Sequence, residues 1–189
     1  MSGKIWEFTG ETKIHLGTTL KRIRAAVEFK LKCGIVVVRG ELGGWIEKES
    51  NLSGDAWVSG DARVYGDAEV YGNAEVSGNA EVSGDAEVYG NARVSGDARV
   101  YGDAWVSGNA KVSGDAWVKS SEDYCVYKNT WSSFRWFTYT RSNKMWSAGC
   151  FHGTGAELIA KAYKDSEKSG KCYEAIVKAQ EAIEKEMEV

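Results

Sequence analysis

Residues 52–117 read LSGDAW, VSGDAR, VYGDAE, VYGNAE, VSGNAE, VSGDAE, VYGNAR, VSGDAR, VYGDAW, VSGNAK, VSGDAW, which is eleven hexads without an insertion. The first position is Val in ten hexads and Leu in one, the third is always Gly and the fifth always Ala. A period of six fits no α-helical stripe, which needs apolar positions every 3.5 or 3.6 residues. It does accommodate a strand period of two plus a corner. Val, β-branched, belongs on the strand, and Gly followed by Asp or Asn supplies the corner. Three hexads per coil give a triangular solenoid whose narrow interior is filled by Val and by an Ala too small to overpack. Eleven hexads make under four coils, about 18 Å of height at ~4.8 Å per rung. So short a prism has a thin core and two exposed sheet ends, so the flanking segments are expected to cap it.

The pattern resembles the hexapeptide repeat of left-handed parallel β-helices, and the handedness and an expected homotrimer both come from that resemblance. A second likeness lies in GELGGWIEKESNLSGDAWV, beginning at Gly40. It is similar to the lead-in of prophage-encoded hexapeptide-repeat proteins, where a small β cap runs into the repeats. A third, YTRSNKMWSAGCF-x-GTG, resembles the carboxyl-terminal segment of the same proteins.

The expected architecture is mainly β: an N-terminal β cap over residues 1–51, a β-helix over 52–118 and a C-terminal ββαα-like domain over 119–189. In the cap, Lys4–Phe8 and Thr12–Leu16 flank Thr9-Gly10-Glu11, the pattern of a hairpin. Leu20–Leu31 fits either a strand or one helical face, and the resemblance favours a strand. Ile35–Val38 reads as a buried strand, followed by a glycine-rich turn over Gly40–Gly44. This is no phosphate loop, because no Lys-Ser/Thr follows at the required spacing. Beyond the linker Lys119–Asp123 comes an aromatic block. Phe134–Thr140 and Met145–Phe151 read as paired strands around Ser142–Lys144. Thr154 is placed to cap a first helix. After a break at Ser166–Gly170, a second helix from about Lys171 to Met187 carries Tyr173, Ile176, Val177, Ile183 and Met187 on its buried side, interrupted by Gln180.

Adding eighteen reads off the stacked columns. Outward position six gives Trp57–Glu75–Arg93–Lys111, Arg63–Glu81–Arg99–Trp117 and Glu69–Glu87–Trp105. Position two gives Ser53–Tyr71–Tyr89–Ser107 and Tyr65–Ser83–Tyr101. The columns of Tyr65, Tyr71, Tyr89 and Tyr101 fit an inter-subunit seam, a ladder that braces neighbouring rungs, or a stacking surface for a ligand. Trp57, Trp105 and Trp117 are expected to point outward.

The composition narrows the functional classes. The longest apolar run, Ile35–Val38, is far short of a membrane span, and no secretory leader is legible at the N-terminus. A net charge of −3 argues against binding duplex DNA or RNA. Four scattered cysteines and two histidines offer no metal cluster, Cys150-Phe151-His152 being too short to fill a tetrahedral site. No metal or cofactor is expected, and the cysteines fit reduced thiols in a cytosol.

Hexapeptide-repeat β-helices resemble acyltransferases that use a histidine in or beside a coil as base. Here no histidine lies between residues 16 and 151 and no loop leaves the repeats, so acyl transfer is disfavoured and no catalytic residue is assigned. The alternating strand 134–141 offers a binding face instead. Its odd positions, Arg135, Phe137, Tyr139 and Arg141, with Lys144 at the turn, suit a flat anionic ligand, the rings stacking and the cations pairing with phosphate. The competing reading is that these rings are the core of a small domain. Together with the prophage resemblance, this points to a non-enzymatic phage accessory protein of the bacterial cytosol that sequesters a nucleotide-like host signal. The alternatives are an inhibitor of a host defence protein, an acyltransferase and a virion component.

Overall fold

The computed structural model describes residues 4–187. Five strands precede the repeats: β1 (Trp6–His15), β2 (Thr18–Ala25), β3 (Phe29–Lys30), β4 (Val36–Val37) and β5 (Leu42–Ile46). The hexads then form eleven two-residue strands, β6–β16, from Trp57–Val58 to Trp117–Val118. Each strand joins position six of one hexad to position one of the next. The first eight each pair in parallel with the strand eighteen residues on, as Glu81 does with Arg99 and Val82 with Val100. Three parallel sheets result, the sides of a β-solenoid of about four turns. Inside, the position-five Ala and position-one Val side chains from Ala56 to Val118 are essentially inaccessible. The corner glycines from Gly54 to Gly114 lie at φ 66–74° and stack on one another, so a Cβ at Gly96 would stand 2.9 Å from the Gly114 carbonyl. Only glycine meets both demands.

The cap differs from its sequence reading in three places. The Thr9–Glu11 segment is a bulge within one long strand, with Gly10 at φ 92°, and the hairpin turns at Leu16-Gly17. Ile35–Val38 is mostly exposed, Val37 alone being buried, because β3–β4 is a two-stranded flap packed through Phe29 against Trp57. Phe29 therefore covers Trp57, expected on the surface but only 2% exposed. The glycine-rich stretch is a turn only as far as Gly40. Gly43 and Gly44 belong to β5, which pairs antiparallel with β2 and parallel with Arg63–Val64 of the solenoid. That junction is tight: a Cβ on Gly44 would meet Val58 Cγ1 at 2.6 Å and the Ala62 carbonyl at 2.7 Å. Through β5 the N-terminal strands continue one solenoid face without a seam.

The C-terminal unit has four strands where the sequence suggested two: β17 (Tyr124–Lys128), β18 (Trp136–Thr140), β19 (Met145–Ala148) and β20 (Phe151–Gly153). Met145–Phe151 is broken by a turn with Gly149 at φ 59°. Helices α1 (Gly155–Asp165) and α2 (Glu167–Met187) follow. Thr154 caps α1 through a reciprocal box with Glu157. The break between the helices is Ser166 alone, because Gly170 continues α2 and leaves room for the Tyr163 ring. Ile183 and Met187 are half exposed. Gln180 does not interrupt the buried side but belongs to it, accepting from the Tyr127 hydroxyl at 2.5 Å and donating to Glu184 at 2.6 Å.

The antiparallel sheet lies between these helices and the last coil. In the solenoid the backbone N–H groups at hexad positions two, four and six donate to carbonyls of the next coil, so those of the final coil lack that acceptor. Hydroxyls of the C-terminal sheet replace it: Lys111 N–H donates to Thr138 Oγ1 at 2.9 Å, Trp117 N–H to Ser142 Oγ at 2.7 Å and Ser107 N–H to Tyr124 Oη at 3.3 Å. This sheet thus closes the exposed end. Among the described residues no helix is long and apolar enough to cross a membrane.

Candidate functional site: a cationic cleft between solenoid and end sheet

Strand β18 sets the fate of the anticipated binding face. Its odd positions turn toward the helices and its even positions toward the solenoid. Phe137 is 1% exposed and Tyr139 5%, both packed with Trp146, Leu158 and Val177. Burial pushes the Tyr139 phenol up to about 12, Glu184 adding to the effect. Phe137 has no free face for a ligand and Tyr139 shows only an edge, so both rings serve mainly as core of the end domain. Arg141 is drawn onto the buried Glu184 carboxylate at 3.1 Å. Lys144 stands at the β18–β19 turn with φ 53°, lining a different hollow with Tyr139 and Glu184. Arg135, before the strand begins, remains exposed, as does Lys144 at the turn.

Arg135 instead joins residues from two other parts of the chain. Arg93 and Lys111 occupy position six on adjacent rungs, directly opposite each other in parallel register. Like charges so placed repel. Burial and the Arg93 guanidinium hold the Lys111 ammonium below its ordinary value. Lys111 Nζ donates to the Gly149 carbonyl at 2.7 Å, and Arg93 approaches Glu75 on the rung behind at 3.6 Å. Arg135 and the half-exposed Trp136 enter from the end sheet, with Lys128 Nζ 5.3 Å from the Trp136 ring centroid. Lys32, on the flap between β3 and β4, closes the far side. These groups, with Asn91 and Asn109, line an open cleft of about 490 Å³, and among the described residues that line it there is no carboxylate. Four cations, two amides and an indole face one space.

Sequence reasoning missed Lys32, Arg93, Lys111 and Trp136 as partners of Arg135. The Arg93–Lys111 juxtaposition was legible by adding eighteen. What no periodicity reveals is which solenoid face the end sheet overhangs.

The tyrosine columns separate. Tyr71 and Tyr89 stack at 5.0 Å with an interplanar angle of 3°, and Tyr71 donates to Glu87 at 2.8 Å, so this pair braces neighbouring rungs. Tyr65 lies beneath the β1–β2 hairpin tip, its ring 5.5 Å from His15 and its hydroxyl 3.0 Å from Glu81. Tyr101, half-buried, lines the cleft beside that tip.

Both histidines lie against the solenoid of their own chain, which the linear sequence did not suggest. His15 contacts Glu81, and His152 Nδ1 stands 3.1 Å from Ser113 Oγ and Ser147 Oγ. The hairpin tip and the end sheet bring them there from outside the repeats.

A family model described as the YdcK β-solenoid repeat matches residues 86–102 and, in an overlapping second copy, 92–108. The chain is a repeat-containing β-helix protein. No curated protein matches it. The matched windows span Arg93, one wall of the cationic cleft, but not Lys111 or the end sheet that completes it.

Proposed function

We propose that this β-helix protein is a non-enzymatic binder of an anionic, ring-bearing small molecule of nucleotide type, held in the cleft of Lys32, Arg93, Lys111, Arg135 and Trp136. The observation that carries the reading is the stacked Arg93–Lys111 pair with Arg135 brought in above it and no lining carboxylate. A phosphate between these cations relieves their repulsion and accepts charge-assisted hydrogen bonds, and the Trp136 indole offers a base a stacking surface. The resemblance of the lead-in and end segments to prophage-encoded proteins supports a counter-defence role in which a host nucleotide signal is sequestered. On this reading the protein works as a homotrimer in the bacterial cytosol, each copy presenting one cleft. The half-exposed Trp105 and the Glu69–Glu87 column, two carboxylates opposite each other on adjacent rungs, are available for contacts between copies.

The test is native mass spectrometry and thermal shift of the purified protein against cyclic nucleotides and ADP-ribose. A trimer that gains whole nucleotide masses, with binding lost in Arg135→Ala and Arg93→Ala, supports the proposal. A protein with no bound mass under any condition sinks the nucleotide reading. Capture of one host protein would then favour inhibition, and turnover of acetyl-CoA lost in His152→Ala or His15→Ala would favour acyl transfer.

A further inference from the structure

A second cleft, of about 380 Å³, lies on another solenoid face beneath the β1–β2 hairpin tip. At its base is Glu81, a carboxylate on a rung with only 8% of its surface exposed. Its Oε1 is occupied, accepting from the Tyr65 hydroxyl at 3.0 Å and meeting His15 Nε2 at 2.5 Å. Arg63 stands 3.7 Å from the same oxygen. Burial favours the neutral acid, but the His15 and Tyr65 contacts and the Arg63 charge outweigh it and hold the carboxyl below its ordinary range. Glu81 is therefore an anion in place, and its second oxygen accepts no hydrogen bond among the described residues.

Arg99 Nε stands 3.6 Å from that oxygen, too far for a hydrogen bond. Arg99 is half exposed, lies 5.5 Å from the Trp117 ring centroid, and makes no hydrogen bond from its guanidinium among the described residues. An unfilled acceptor and an unfilled donor thus stand side by side. Leu16 (81% exposed), Tyr101 and Trp117 (52% exposed) form apolar walls around them. One ligand edge that donates to the free carboxylate oxygen and accepts from the guanidinium satisfies both groups together.

We infer that this cleft binds a planar heterocycle with a lactam edge, its ring N–H donating to Glu81 Oε2 and its adjacent carbonyl accepting from Arg99, with the ring against Trp117 and Tyr101. The site needs no phosphate and shares no residue with the cationic cleft, so it stands or falls independently of that proposal.

The experiment is calorimetric titration of the full chain with guanosine, a neutral nucleoside with a lactam edge, and with N1-methylguanosine, which lacks the lactam N–H. Expected are saturable binding of guanosine and at least tenfold weaker binding of the methylated nucleoside. Trp117→Ala, a change at an exposed wall, and Arg99→Ala each weaken guanosine binding at least fivefold, while Arg135→Ala leaves it unchanged. The inference is overturned by no guanosine binding, by equal binding of both nucleosides, or by full affinity in Trp117→Ala. Self-association that occludes Trp117 and abolishes binding overturns it equally.

Discussion

Thr138 Oγ1 accepts a hydrogen bond at 2.9 Å from the backbone N–H of Lys111, filling the place that a carbonyl of one more coil would take. Thr138 is completely buried. Thr138→Val preserves the shape of the side chain but leaves that N–H with no acceptor. The expected loss is about 1–3 kcal/mol, read as a lower midpoint in urea with an unchanged slope. A midpoint equal to that of the wild type would show that the hydroxyl does not serve as the cap.

The β5–solenoid junction makes a steeper demand. A Cβ on Gly44 meets Val58 Cγ1 at 2.6 Å and the Ala62 carbonyl at 2.7 Å, the latter being backbone that cannot rotate away. Gly44→Ala should cost about 1–3 kcal/mol by overpacking. Gly17→Ala is the comparison, because open space surrounds Gly17 and its φ of 84° charges only a backbone penalty. Denaturant melts of the two variants separate steric from conformational cost.

Glu81 gives the fold an acid-sensitive element. Its folded carboxyl titrates below the ordinary value of 4.5, because contacts from His15, Tyr65 and Arg63 outweigh burial. A depressed folded value stabilises above the unfolded value, and that stabilisation is lost as pH falls through the folded one. Wild type should therefore lose stability on acidification below about 4.5, and Glu81→Gln should show a flatter curve in that window. Melting temperatures from pH 6 down to pH 3 decide it, and parallel curves would remove Glu81 from the account.

Binding in the cationic cleft should weaken with salt. The screening length falls from about 10 Å at 0.1 M to about 3 Å at 1 M, so an anion held by Arg93, Lys111 and Arg135 loses affinity across that range. Guanosine in the hairpin cleft, being neutral, should bind nearly alike at both. Titrations of the two ligand types at two salt concentrations distinguish the faces.

Thr154→Ala tests the end unit. The Thr154 hydroxyl accepts from Glu157 N–H at 3.3 Å, and the Glu157 carboxylate reaches back to Thr154 N–H at 2.8 Å. Removing the hydroxyl should cost about 1 kcal/mol, seen as a small drop in thermal midpoint.

The solenoid was legible residue by residue. Val at position one, Ala at position five and Gly at position three leave one geometry that buries the first two and gives the third its positive φ, and a strict six-residue period fixes the register of every rung. The Glu75–Arg93 and Glu81–Arg99 neighbours followed from adding eighteen, and Thr154 as a helix cap followed from local chemistry. The binding face was not legible. Alternation along residues 134–141 sorts side chains into two sets but does not say which set meets solvent. With helices on one side of β18 and a solenoid end on the other, both sets are buried from Phe137 to Thr140, and Phe134, Arg135 and Trp136 at its start stay exposed. His15 reached Glu81, and Lys32 and Arg135 reached Arg93 and Lys111, because a hairpin, a flap and a sheet fold back onto faces whose repeats carry no mark of which coil will be covered. Period and propensity act over a few residues and are written in the sequence. The clefts arise where segments far apart in the chain dock, and the shapes of the docked surfaces decide which charges meet.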